Sequence, residues 1–180
     1  MISHSAPFVL LAGLMFGASF PAYAKDDTAF FRSIEGKWSG PGEIVAGKYK
    51  GTKFNCTLDG TTPQGKTGIS MDGTCRVGVF SQEMGAKIIK SAKGYTGAFL
   101  DGAAGKGLDI VSGNVAGDRV TMALNRNKLN GAMLARLEND NLMHVTISVR
   151  VNKDMVRVIG MSLTRVGDVD KIATGSLSPN

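Results

Sequence analysis

Aromatic residues run out at Phe99: from Leu100 to Asn180 there is no Phe, Trp or Tyr. A barrel that crosses the outer membrane needs aromatic girdles at both interfaces. A chain whose second half has none is not expected to span a membrane in that way. Nor does any apolar run beyond residue 24 approach the roughly 20 residues that a spanning helix needs, so the mature protein is expected to be soluble. Histidine is scarce, with only His4 and His144, and so is cysteine, with only Cys56 and Cys75. Once those cysteines are oxidised, a zinc site has no ligand set. Close acidic pairs such as Asp26-Asp27 and Asp168/Asp170 fall short of the clustered oxygens that calcium takes. No metal and no cofactor is therefore expected.

Motifs for catalysis are equally thin. There is no G-x-S-x-G elbow, and His144 as a base for Ser148 or Ser162 has no orienting acid that the sequence identifies. A pair of carboxylates for glycoside hydrolysis depends on a separation that only the fold sets. Gly102-Ala103-Ala104-Gly105-Lys106-Gly107 looks like a phosphate cradle but lacks the Walker spacing and leads into a strand pattern, not a helix. It reads as an inter-strand loop. No catalytic residue is assigned, and the chain is not expected to be an enzyme.

What is present begins at the N-terminus. An apolar run from Pro7 to Phe20 leads into Ala22-Tyr23-Ala24, a small-x-small cleavage site, and charge starts abruptly at Lys25. Residues 1–24 read as a secretory signal, although no Lys or Arg precedes the apolar run. The expected location is periplasmic or secreted. The remaining 156 or so residues suit one domain: a β-domain over 25–166 and a mobile tail over 167–180, where sustained period is lacking. Twenty-one Lys and Arg against 15 Asp and Glu leave a net charge of +6. In an exported protein that charge points to anionic envelope components, not to nucleic acid. The cations are scattered along the chain, as on a solvated face.

Asp27 can cap a short helix with Phe30, Phe31 and Ile34 on its apolar side and Gly36 at its end. From Trp38 the hydrophobic period becomes two. Over Leu142–Val151, Met143, Val145, Ile147, Val149 and Val151 share one face, and His144, Thr146, Ser148 and Arg150 share the other. Similar segments are Trp38–Val45, Tyr49–Leu58, Thr67–Phe80, Met84–Ser91, Tyr95–Leu100, Leu108–Val115, Arg119–Asn125, Ala132–Glu138 and Met155–Val166. Lys93-Gly94, Asp101-Gly102, Gly117-Asp118, Asn130-Gly131 and Asp140-Asn141 supply turn pairs. The fold class is all-β: an antiparallel meander of about 8–10 strands with a short N-terminal helix. Open edges invite aggregation, so closure as a barrel is expected, with a two-sheet sandwich as the alternative.

Export and an even count predict that Cys56 and Cys75 form a disulfide. If the two face each other on neighbouring strands, the hairpin apex falls near Gly65, within Thr61-Thr62-Pro63-Gln64-Gly65. Asp72-Gly73 then sits inside the returning strand as a bulge, although in isolation it reads as a turn. Seven methionines follow the apolar run, Met71, Met84, Met122, Met133, Met143, Met155 and Met161. They are either adaptable wall residues or core gap-fillers.

Gly36-Lys37-Trp38 opens the first strand and Thr164-Arg165-Val166 closes the last. This arrangement resembles the calycins, the lipocalin-like barrels, with Gly36 and Trp38 matching their G-x-W and Arg165 their closing basic residue. The resemblance implies that Arg165 packs over Trp38 and closes the barrel. A guanidinium on an indole face gains cation–π energy while its donors reach carbonyls. Trp38, Gly40 and Gly42, with the cysteine pair and the closing Thr-Arg, also look like small exported bacterial proteins of unassigned activity. The expected function is an exported barrel that binds a small apolar or amphipathic ligand. Its candidate lumen wall is Phe54, Phe80, Phe99, Met122, Met133, Met143 and Met161. The alternative is an inhibitor or interaction module acting on an envelope enzyme or anionic envelope polymer.

Overall fold

The computed structural model describes residues 27–100 and 108–167. The N-terminal apolar run, the Asp101-Gly102 turn, the Gly102–Gly107 loop and all of the tail but Gly167 lie outside the described residues. A seven-residue helix, α1 (Asp27–Ser33), comes first. The strands are β1 (Gly36–Ile44), β2 (Lys53–Thr61), β3 (Gly68–Val77), β4 (Phe80–Ser91) and β5 (Gly94–Leu100), then β6 (Leu108–Ala116), β7 (Arg119–Arg126), β8 (Leu129–Asn139), β9 (Leu142–Val151) and β10 (Asp154–Arg165). Each strand pairs antiparallel with the next, and β1 pairs with β10, so ten strands close into an up-and-down barrel. Closure leaves no free edge, the solution that a long antiparallel meander requires. The sandwich alternative is not adopted.

The period-two pattern is what bends the chain into a single-cored barrel. On β9, Met143, Val145 and Ile147 are buried, while the intervening His144, Thr146 and Ser148 are half-exposed. Val149 is half-buried and Val151, last on the same face, is exposed because the strand has by then reached the barrel's rim. Irregularities between Ile110 and Ser112, Leu137 and Asn139, and Arg157 and Ile159 supply the local twist that curvature needs.

Helix α1 plugs one end. Phe30 and Phe31 are almost fully buried, with their rings 5.7 Å apart edge to face, and Phe31 meets Tyr95 at 5.8 Å. The Asp27 carboxylate does not act as the expected cap. It accepts hydrogen bonds from the Tyr95 hydroxyl at 2.7 Å and from Lys90 Nζ, tying the helix start to β4 and β5. At the helix exit, the Glu35 carboxylate accepts from Thr62 N at 3.1 Å and from the Thr62 hydroxyl, which fixes the β2–β3 loop.

Three local expectations are corrected. The segment Thr67–Phe80 is not one strand: the chain turns at Gly78-Val79, with Gly78 at φ +57°, and β4 already begins at Phe80. A turn flanked by Val77, Val79 and Phe80 has the composition of a strand, and only Gly78 marks it. Asn130-Gly131 is not a turn but lies inside β8; the β7–β8 reversal is at Asn127-Lys128, with Asn127 at φ +54°. Asp72-Gly73 does lie inside β3, yet in unbroken register with Asp59 and Leu58, so no bulge forms there. Gly73 is needed for close approach, since a Cβ would fall 2.0 Å from the Thr57 carbonyl oxygen.

Candidate functional site

The barrel offers three places for function: the plugged end, the interior, and the outer wall. At the plugged end Trp38 is fully buried, and its indole Nε1 donates to the Ile34 carbonyl at 3.0 Å. Trp38 and Arg165 are direct cross-strand partners on β1 and β10. The guanidinium carbon lies 4.3 Å from the centre of the indole ring, within cation–π range. Arg165 Nη2 donates to the Ser33 carbonyl at 2.6 Å, Nη1 to the Glu35 carbonyl, and Nε to the Asp140 carbonyl at 2.8 Å. One planar side chain thus satisfies carbonyls at the end of α1 that have no helical partner, and joins them to the β8–β9 turn. Gly36 makes room for it. At φ +95° it occupies a conformation that a side chain rarely takes, and a Cβ would stand 3.3 Å from Nη1.

The disulfide is on the inner wall. Cys56 and Cys75 face each other across β2 and β3, with Cα atoms 4.0 Å apart and an S–S distance of 1.93 Å. Both are buried, and Cys56 Sγ lies 3.9 Å from Met161 Sδ. The apex of this hairpin falls in residues 62–67, around Gly65 as the pairing demands.

Inside the barrel is a cavity of about 70 Å³. Phe99, Met133, Met143 and Met161 line it, as do Met71 and Met84, which the candidate wall had omitted. On the scale where one water needs about 10–15 Å³ and a drug-sized site has roughly 300–1,000 Å³, this is a small void in a largely filled core. Its lining has no polar group, so water has nothing to bond to there. Met122 is fully buried beside it without lining it. Phe54 is half-buried, packed against the core with its ring over Gly42. Phe80 is not a wall residue: it is 77% exposed, because β4 and β3 run past the barrel wall and end in a projecting hairpin.

On the outer wall, His144 bonds two groups at once. Its Nδ1 is 3.1 Å from Ser162 Oγ, and its Nε2 is 2.7 Å from Glu138 Oε2. Glu138 is the acid that the sequence could not identify, because β8–β9 pairing alone brings it beside His144. His144 and Ser162 line an outer groove together with Lys53, Arg157 and Glu43. Stabilising an oxyanion there would need preorganised donors. Ser162 pairs with His144 on β9, whereas the β1–β10 ladder passes over it, from Ser39–Thr164 to Gly42–Met161. The trio links side chains of β8, β9 and β10. Among the described residues, no group of three or more His, Cys, Asp or Glu could hold a metal ion.

Fold and site together define an all-β protein: a closed ten-stranded antiparallel barrel, plugged at one end by a helix and fastened there by an arginine on a tryptophan. No family model and no curated protein matches the chain. Among solved structures, the crystal structure of Rv2717c from M. tuberculosis is similar, at TM-score 0.46 and 10% sequence identity, over 79% of this chain and 98% of that chain.

Proposed function

We propose that this is an exported calycin-like barrel that takes a small apolar or amphipathic molecule into its interior within the cell envelope. The observation that carries the reading is the void itself, wholly apolar and walled by five methionines. Methionine has three rotatable side-chain bonds and a polarizable sulfur, so such a wall can re-form around a guest. The resting void of about 70 Å³ admits only a few heavy atoms. A longer guest enters by turning methionines aside, with any polar head left at the unplugged end. Phe54, half-buried over Gly42, stands on that route.

The test uses straight-chain fatty acids of 8 to 16 carbons, followed by NMR of 13C-labelled methionine methyls. Saturable shifts should appear at Met71, Met84, Met133, Met143 and Met161, and not at the exposed Met155. Ala135→Leu places three more carbons in the void and should abolish the shifts while leaving the barrel folded. Absence of saturable shifts, or shifts that survive in the leucine variant, would overturn the reading.

A further inference from the structure

β1 starts beside the helix, so the connections after β1, β3, β7 and β9 lie at the other end, which no described element plugs. That end gathers the exposed apolar side chains of the molecule. Tyr49 belongs to the β1–β2 connection, Val79 and Phe80 to the β3–β4 tip, Leu129 to the start of β8, and Val151 and Met155 to the β9–β10 hairpin. Val79 is 94% exposed at the very tip. Among the described residues, the only large apolar side chains exposed away from this end are Val111, Leu134 and Val166. A patch of this kind on a protein surface marks an interaction site.

The same hairpins carry cations. Lys48 and Lys50 flank Tyr49, Lys128 precedes Leu129, and Lys153 follows Val151 by two residues. Asp154 is the sole acidic residue within the four described connections 45–52, 77–80, 126–129 and 151–154. Lys50, Lys128 and Lys153 have no carboxylate within ion-pair distance among the described residues. At the plugged end Lys90 pairs with Asp27, and Arg119 and Arg136 with Asp118, while Lys66 and Lys93 in the loops there have no carboxylate within ion-pair distance among the described residues.

We propose that the unplugged rim docks on an anionic phospholipid surface, its apolar tips entering the headgroup region and its lysines pairing with lipid phosphates. Charge complementarity selects this occupant. Apolar tips and unpaired lysines on one rim match the acyl boundary and the anionic headgroups of a bilayer. The inference stands on the rim alone, whether or not the interior takes a guest.

The test is co-flotation with vesicles of phosphatidylglycerol and phosphatidylethanolamine, against vesicles of phosphatidylcholine. The full chain is compared with a form that starts at Lys25, which retains the helix and all ten strands, so that the N-terminal apolar run cannot account for binding. The Lys25 form should float with the anionic vesicles. Binding should fall at least tenfold on phosphatidylcholine, and at least tenfold between 0.1 M and 0.5 M salt. Val79→Asp combined with Phe80→Asp should lose at least tenfold, and Lys128→Glu combined with Lys153→Glu should do the same on anionic vesicles. Val111→Asp, on the wall, should bind as the parent does, and melting temperatures check that each variant is folded. No flotation, equal flotation on both vesicle types, or rim variants that bind like the parent would overturn the proposal. So would a dimer, seen by size exclusion and lost in the Val79/Phe80 variant, without flotation. Ala135→Leu should leave flotation intact, which separates this inference from ligand uptake.

Discussion

A single side chain, Arg165, holds together three segments that are remote in sequence: the end of α1, β1 and the β8–β9 turn. It does so with three donors in one plane over an indole face, a geometry that an ammonium cannot copy. Arg165→Lys should therefore cost about 1–3 kcal/mol, measured by urea unfolding. A double-mutant cycle with Trp38→Phe should return a coupling of roughly 0.5–2 kcal/mol. A neutral lysine variant would mean that the fork does not fasten the barrel.

Asp27 makes a second prediction at this scale. Partial burial works to raise its pKa, but the hydrogen bonds from Lys90 and Tyr95 and the Lys90 charge together outweigh it, so the carboxyl titrates below its usual 3.8. A carboxyl whose pKa is lower in the folded state stabilises the fold fully above the unfolded value. That stability is lost as pH falls through the lowered one. Asp27→Asn should reduce stability at pH 7, and the gap to the parent should close progressively below about pH 4. Melting temperatures across pH 2–7 check this; a constant gap would show that the ion pair is not the cause. Asp118 is held low by its hydrogen bond from Arg119, with Arg136 adding to it, but it lies at the solvent-accessible surface and no stability effect is expected of it.

Among the elements, β9 is the one whose faces can be assigned from sequence and then checked by burial. Ile147 is buried in the core and Thr146 is on the outer face. Ile147→Asp places an unpaired charge among apolar side chains and should cost more than about 4 kcal/mol, enough to prevent folding. Thr146→Asp should stay within about 1 kcal/mol of the parent. Soluble yield and thermal melts of the two variants decide it, and the reverse order would assign the faces backwards. Glycines inside strands behave differently from glycines in turns, although the sequence does not distinguish them. Gly73 sits where β2 and β3 come too close for a Cβ, whereas Gly78 sits where φ is positive. Both look like turn residues on paper.

At the scale of the whole molecule, the disulfide closes a segment with a sequence separation of 19 inside a barrel already closed by β1 and β10. On the loop-entropy scale it should contribute roughly 3 kcal/mol. Both sulfurs are buried, so dithiothreitol should leave the bond intact under native conditions and cleave it in denaturant. Replacing both cysteines with alanine should lower the melting temperature by several degrees while preserving the barrel. Thiol titration of denatured, unreduced protein should find no free thiol. Two free thiols would remove the bridge from the account.

The sequence alone determined the all-β class, the helix at the start, the Cys56–Cys75 register and the inward face of β9. Each follows from local rules, namely hydrophobic period, turn chemistry and the short reach of a disulfide. The Arg165–Trp38 contact is non-local and came from resemblance; the fold then set the two residues opposite each other across the closing seam. Tertiary structure alone decided the rest. It chose closure over a sandwich and ten strands within the expected 8–10, kept Gly73 in register without a bulge, and placed Gly131 inside a strand. It also set Phe80 outside the wall and brought Glu138 to His144. It filled most of the lumen and gathered exposed apolar tips and lysines at one rim. These outcomes depend on where a strand stops relative to the barrel wall and on which residue lies across a ladder. A pattern along one strand carries neither, because both are distances between segments far apart in the chain.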